Sequence, residues 1–116
     1  MIVVSTPYLP GHRVERTLGL TWGLVVRSRG VGYQLTAFFR SLFGGEIPEY
    51  TDMLNNARMH AVERLKQHAR SLGANAVLGA AFDSSELATN MTEVLAYGTA
   101  VVVAPEAEET SPVRLA

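Results

Sequence analysis

Over residues 17–27 large apolar side chains occupy every second position: Leu18, Leu20, Trp22, Leu24 and Val26. Between them stand Thr17, Gly19, Thr21, Gly23, Val25 and Arg27. This period-2 alternation predicts a strand with its bulk on one face. Gly19 and Gly23 leave the other face nearly flat, or mark a bulge or bend. A strand of this length is expected to break into two. Upstream, Ile2-Val3-Val4 reads as a brief strand ended by Ser5-Thr6-Pro7, with Pro7, Pro10 and Gly11 forming a turn-rich connection.

The period changes over residues 48–72. Leu54, Ala57, Ala61, Leu65, Ala69 and Leu72 recur at steps of three and four, which places them on one face of a helix. Pro48 suits the first helical position, and Glu49 and Asp52 suit the positive end of the helix dipole. Lys66 and Arg70 suit the opposite end, and Gly73 suits a left-handed stop. The alanines in the stripe let the helix axis lie close to whatever it covers. Its length is about 37 Å at the helical rise. A shorter apolar segment over 33–43, with Tyr33, Ala37, Phe38 and Leu42 at near-helical spacing, reads as a buried short helix stopped by Gly44-Gly45.

Two continuous apolar runs follow, over 76–82 and 94–103. Runs without alternation predict strands buried on both faces. Asp83-Ser84-Ser85 and Ala88-Thr89-Asn90 between them read as turn or loop. From Ala104 the chain turns polar, with Pro105, three glutamates, Ser111 and Pro112. The expected organisation is one α+β domain over 1–103 and a disordered acidic tail over 104–116. The expected architecture is a mainly antiparallel sheet, one long helix packed on a face, and a short helix.

Packing and charge both point beyond a single copy. One helix covers one face of a small sheet, yet the two apolar runs ask for cover on both. Charged residues are only 18% of the chain, below the roughly 25% of an average soluble protein, so apolar surface remains to be hidden. Residues 1–45 carry Arg13, Arg16, Arg27, Arg29 and Arg40 against Glu15, a net +4. Residues 46–103 carry a net −3. A basic first part and an acidic second part favour head-to-tail contact, and hence a closed homo-oligomeric ring over a two-fold dimer. No signal peptide and no apolar run of membrane-spanning length is visible, so a cytoplasmic location without membrane contact is expected.

With these residues in view, the sequence resembles the YbjQ-like family of small bacterial proteins, which is functionally uncharacterised and labelled heavy-metal-binding. The resemblance covers residues 1–103. It rests on Ser5-Thr6-Pro7, Gly44-Gly45 ahead of Tyr50, and Ala57-Arg58 in the long helix. Its clearest marks are Ala69 with Leu72-Gly73-Ala74-Asn75-Ala76-Val77, and Gly98-Thr99-Ala100-Val101. Glu46-Ile47-Pro48 departs from the Arg-Ser that often follows the paired glycines in the family. The resemblance implies subunits assembled as a pentamer and assigns no reaction.

Candidate chemistry is sparse. The chain has no cysteine, which removes thiol catalysis, disulfides and thiolate metal sites. His60 and Glu63 lie three apart on the long helix and share a face, so they are the candidate ligands for a divalent metal, with further ligands supplied by neighbouring subunits. His60 and His68 are too far apart for one tetrahedral site. Asp83 and Glu93 flank the loop between the two apolar runs, and in a hairpin they could approach and act as acid and base. Arg27, Arg29, Tyr33 and Arg40 could touch single-stranded nucleic acid, but a pI near 6.3 argues against that partner. Trp22, Phe38, Phe39, Phe43 and Tyr97 could line a cleft between subunits. No nucleophile elbow, phosphate loop or His-Glu-x-x-His is present. The reading is a homo-oligomeric binding or structural module rather than an enzyme. The alternative is an enzyme of unknown reaction with an active site between subunits.

Overall fold

A computed structural model describes residues 1–28, 48–88 and 91–106. In chain order these form β1 (Ile2–Val3), β2 (His12–Ser28), α1 (Pro48–Ser71), β3 (Ala76–Ala88) and β4 (Met91–Pro105). The strands make one sheet in the order β1-β3-β4-β2. β4 runs antiparallel to both β3 and β2, as expected, while β1 pairs with β3 in parallel, so the sheet is mixed. The reason is the connection after β1. It leaves one edge of the sheet and must reach β2 at the other edge, pointing the same way. On that path Val4 and Leu9 pack over Ala76, Leu78, Val101 and Val103. The short helix expected over 33–43, the 89–90 turn and residues 107–116 lie outside the described residues.

Helix α1 forms where the stripe predicts. Ala57, Ala61, Leu65 and Ala69 are fully buried against Val25, Val77, Val94, Ala96 and Ala100. It ends at Ser71. Gly73 takes a left-handed φ of 92°. Gly73 N donates to Arg70 O at 2.9 Å and Ala74 N to Ala69 O at 3.0 Å, which satisfies the carbonyls a helix end leaves open. The helix lies mainly over β2, less over β4 and little over β3.

The flat face of β2 is the one the helix takes. A Cβ at Gly23 would stand 2.1 Å from Ala61 O and 2.5 Å from Leu65 N, so only glycine lets the helix backbone come this close. The bulky face is left open: Leu20, Trp22, Leu24 and Val26 are between 41% and 62% exposed. Leu18 departs from its even-numbered companions and packs against the core. The cause is a register shift between Thr17 and Gly19, where Gly19 adopts φ 111°. A second shift lies between Val14 and Arg16. These bulges absorb the bending, so β2 is one continuous strand of 17 residues rather than two.

β3 is longer than its apolar run. Asp83, Ser84 and Ser85 are not a turn: they pair with Leu95, Val94 and Glu93. Their side chains are exposed, so polarity there marks open surface along a strand and not a break in it. At its other end β4 runs through Ala104 to Pro105, which pairs with His12, so ordered strand extends two residues past the expected domain boundary. The expectation of cover on both faces holds at Ala76, Val77 and Leu78, all buried, where the chain's own Val4 and Leu9 supply the second layer. It fails farther along, where Phe82 is 48% and Tyr97 38% exposed.

Candidate functional site

Three surfaces converge on β2. The first is the open face. Trp22 stands opposite Tyr97, and Leu24 opposite Leu95, so large apolar pairs line the sheet where no described element covers them. The second is the outer edge of β2, which has no strand partner among the described residues. Among the described residues β3 is likewise open on its outer side past Ala80, beyond the β1 pairing and the bonds of Gly79 N to Thr6 O and Ala80 N to Val4 O. β2 carries Arg13, Arg16 and Arg27 against Glu15, which pairs with Arg13 at 3.3 Å, and β3 carries Asp83 and Glu86, so the charge split of the sequence becomes a split between opposite sides of the sheet.

The third surface is a row of side chains along α1 above β2. His60, Arg64 and His68 recur every fourth residue, which stacks them on one side of the helix. Each engages a successive part of β2. The Arg27 guanidinium donates to His60 Nδ1. Arg64 Nη1 donates to the Leu24 carbonyl. Thr21 Oγ1 donates to Leu65 O at 3.1 Å and lies 2.9 Å from His68 Nδ1. Thr21 is fully buried. Trp22 packs its ring on His68, with centroids 4.4 Å apart and planes tilted by 46°.

The expected metal pair joins His60 of this row to Glu63. His60 and Glu63 are both exposed and line an open groove of about 600 Å³ with Arg58, Met59, Lys66 and Phe82. Glu63 accepts from Lys66 Nζ at 3.4 Å, and Arg58 lies over the Phe82 ring at 5.7 Å. Two cationic side chains and a guanidinium on His60 Nδ1 thus surround the pair. Among the described residues no three His, Asp or Glu side chains gather into one cluster. The described residues therefore supply metal donors but not a closed set, and with no cysteine these are imidazole nitrogen, carboxylate oxygen and the Met59 thioether.

Asp83 and Glu93 do come together on one sheet face. Asp83 pairs with Leu95 and Ser85 with Glu93, which makes the two acids diagonal neighbours on the open face, about 7–8 Å apart in Cα terms. They lie along the hairpin rather than at its end. Phe38, Phe39 and Phe43 of the expected aromatic cleft, together with Arg29, Tyr33 and Arg40, lie outside the described residues. Trp22 and Tyr97 of that cleft are adjacent. Sequence reasoning missed Thr21 and His68 as partners, since 47 positions separate them. The single local hint was a hydroxyl residue on a face otherwise kept flat by glycine.

Among the described residues these features define a two-layer α+β fold, a four-stranded mixed sheet under a helix, with strand edges and an apolar face that no described element covers. The chain belongs to the YbjQ-like family, whose description is "Putative heavy-metal-binding" and whose match covers residues 1–104. It is 66% identical to a UPF0145 protein of Methanoregula boonei over 99% of this chain and 96% of that one. It is 58% identical to a UPF0145 protein of Methanocella arvoryzae over the same shares. A UPF0145 protein of Bradyrhizobium is 52% identical over 90% of this chain and 95% of its own, so the family spans archaea as well as bacteria. A crystal structure of a Pediococcus pentosaceus protein of unknown function has the same fold, with a TM-score of 0.63 at 15% identity, over 90% of this chain and 98% of that one. No helix among the described residues is long and apolar enough to cross a membrane.

Proposed function

We propose that this protein is a cytoplasmic, self-associating binding module, a closed pentameric ring that holds a divalent metal between subunits. The observation that carries the reading is the pair of strand edges that are open among the described residues and unlike in charge, β2 with Arg13, Arg16 and Arg27 against Glu15, which pairs with Arg13, and β3 with Asp83. Edges left bare invite pairing with another chain. Unlike edges on one subunit favour a heterologous contact, which repeats from copy to copy and closes into a ring. The apolar face through Leu20, Trp22, Leu24 and Val26 supports the same reading, because a partner copy would hide it. Metal is the leading ligand because the family description names it and exposed imidazole and carboxylate groups are at hand, incomplete in one chain.

Native mass spectrometry of the untagged protein tests both parts. The expected result is a mass of five chains that carries metal. A species of 12.6 kDa at micromolar concentration would overturn the assembly. The second reading, an enzyme with an inter-subunit site, rests on Asp83 and Glu93 as diagonal carboxylates. It requires a turnover that Asp83→Asn or Glu93→Gln abolishes.

A further inference from the structure

We infer that the groove between α1 and β3 is a binding site for a small amphipathic carboxylate, with Arg58 for the head group and Phe82 under the chain. The inference goes beyond the metal reading and does not rest on it. Phe82 reaches this groove through a bulge. Leu78 pairs with Thr99, and in regular register Ala80 would follow opposite Tyr97 and Phe82 opposite Leu95, on the face away from the helix. The pairing shifts instead between Leu78 and Ala81, where Gly79 takes φ 63°. Phe82 then stands opposite Ala96, on the face that carries α1. The helix lies mainly over β2 and little over β3, so Phe82 stays half exposed beside it.

The site has two parts. Arg58, Val62 and Lys66 recur every fourth residue along α1 and border the groove of about 600 Å³ with Phe82. Val62 and Phe82 also border a second cavity of about 270 Å³, walled by Val3, Val4, Leu65, Ala80 and Ala96. Small-ligand sites have this size and this make-up, apolar within and polar at a few points. Charge selects the head group. Arg58 and Lys66 are two cations against one acid, Glu63, which Lys66 Nζ already holds at 3.4 Å. No described carboxylate pairs with Arg58. Its guanidinium lies 5.7 Å from the Phe82 ring centroid, and a ring contact leaves the N–H donors for an acceptor. One unmatched cation suits a monoanion, and the planar fork of arginine donors matches a carboxylate. The inner cavity is lined almost wholly by aliphatic side chains, which suits an aliphatic chain on the same molecule.

Calorimetry of the full chain with decanoate, below its micellar concentration and with a metal chelator present, tests the site. Saturation at one decanoate per chain is expected. Decanol lacks the charge and should bind about 10- to 100-fold more weakly. Acetate lacks the chain and should not saturate. Arg58→Gln should weaken decanoate by the same factor and leave decanol unchanged. Phe82→Asp, at a half-exposed position, should abolish decanoate binding, while Arg70→Gln, at an exposed position elsewhere on the helix, should leave it intact. Methyl resonances of Val62 in the unsubstituted protein should shift as decanoate is added, a readout that depends on no variant folding. Decanoate that fails to saturate, binds no better than decanol or leaves the Val62 methyls unmoved would overturn the inference, as would binding that survives both Arg58→Gln and Phe82→Asp. Binding seen only without chelator would assign the carboxylate to a bound metal, overturning this inference and supporting the metal reading. Saturation in a protein that takes up no metal would do the reverse.

Discussion

The two faces of the sheet contrast in a way that explains most of the molecule. The covered face is closest where small groups meet: Gly23, Ala96 and Ala100 from the strands, with Val25, Val77 and Val94 beside them, pack on Ala57, Ala61, Leu65 and Ala69 from the helix. The open face is built from large ones: Leu20, Trp22, Leu24 and Tyr97. Common expectation places the bulkiest apolar residues inside, and here the chain's own helix takes the opposite side. Close approach of two backbones is the reason. Small residues let α1 settle onto β2 with its alanines in contact, while bulky residues would hold it off. Large side chains are then left on a face that no other described element covers.

Several substitutions would break or sharpen this contrast. Gly23→Val should have the largest effect, since its Cβ meets helix backbone at 2.1 Å; we expect a loss of about 3 kcal/mol or more, read as failure to fold or as a collapsed urea midpoint. Leu65→Ala, at a fully buried site, should cost about 2–5 kcal/mol in the same measurement. On the other face, Leu24→Lys should leave the far-ultraviolet circular dichroism of the subunit unchanged but drive the native mass to 12.6 kDa; a ring that persists with lysines there would mean that the open face is not the buried one. Asn75→Ala removes a reciprocal pair, Nδ2 to Val103 O at 2.9 Å and Val103 N to Oδ1 at 2.8 Å, and should cost about 1 kcal/mol by chemical denaturation. Glu63→Gln removes only an exposed ion pair with Lys66, so a change above about 0.5 kcal/mol in the midpoint would contradict its placement. All comparisons are made at equal protein concentration, because the proposed assembly would add to apparent stability.

The candidate site was legible only in fragments. His60 and Glu63 do share a helix face, as their spacing requires, but spacing could not reveal that Arg27 and Lys66 already occupy them. The Asp83–Glu93 approach was legible once the two runs were read as a hairpin. The spacing of His60 and His68 says only that they cannot share one tetrahedral site, and the contact of His68 with Thr21, 47 positions away, belongs to the fold. Ligand geometry is a matter of long-range contact, and no local pattern encodes which hydroxyl will meet which ring.

Local chemistry alone determined the limits of α1, its left-handed stop at Gly73, the period of β2 and the existence of the β3–β4 hairpin. These features depend on side-chain spacing and backbone preference within a few residues. The tertiary structure decided the rest. It put the helix on the flat face because Gly23 permits contact there. It turned Leu18 inward through a bulge at Gly19, and it drew the polar residues Asp83, Ser84 and Ser85 into a strand because β4 offered a ladder to pair with. Each of these outcomes turns on the shape of a partner far away in sequence, and periodicity carries no record of that partner.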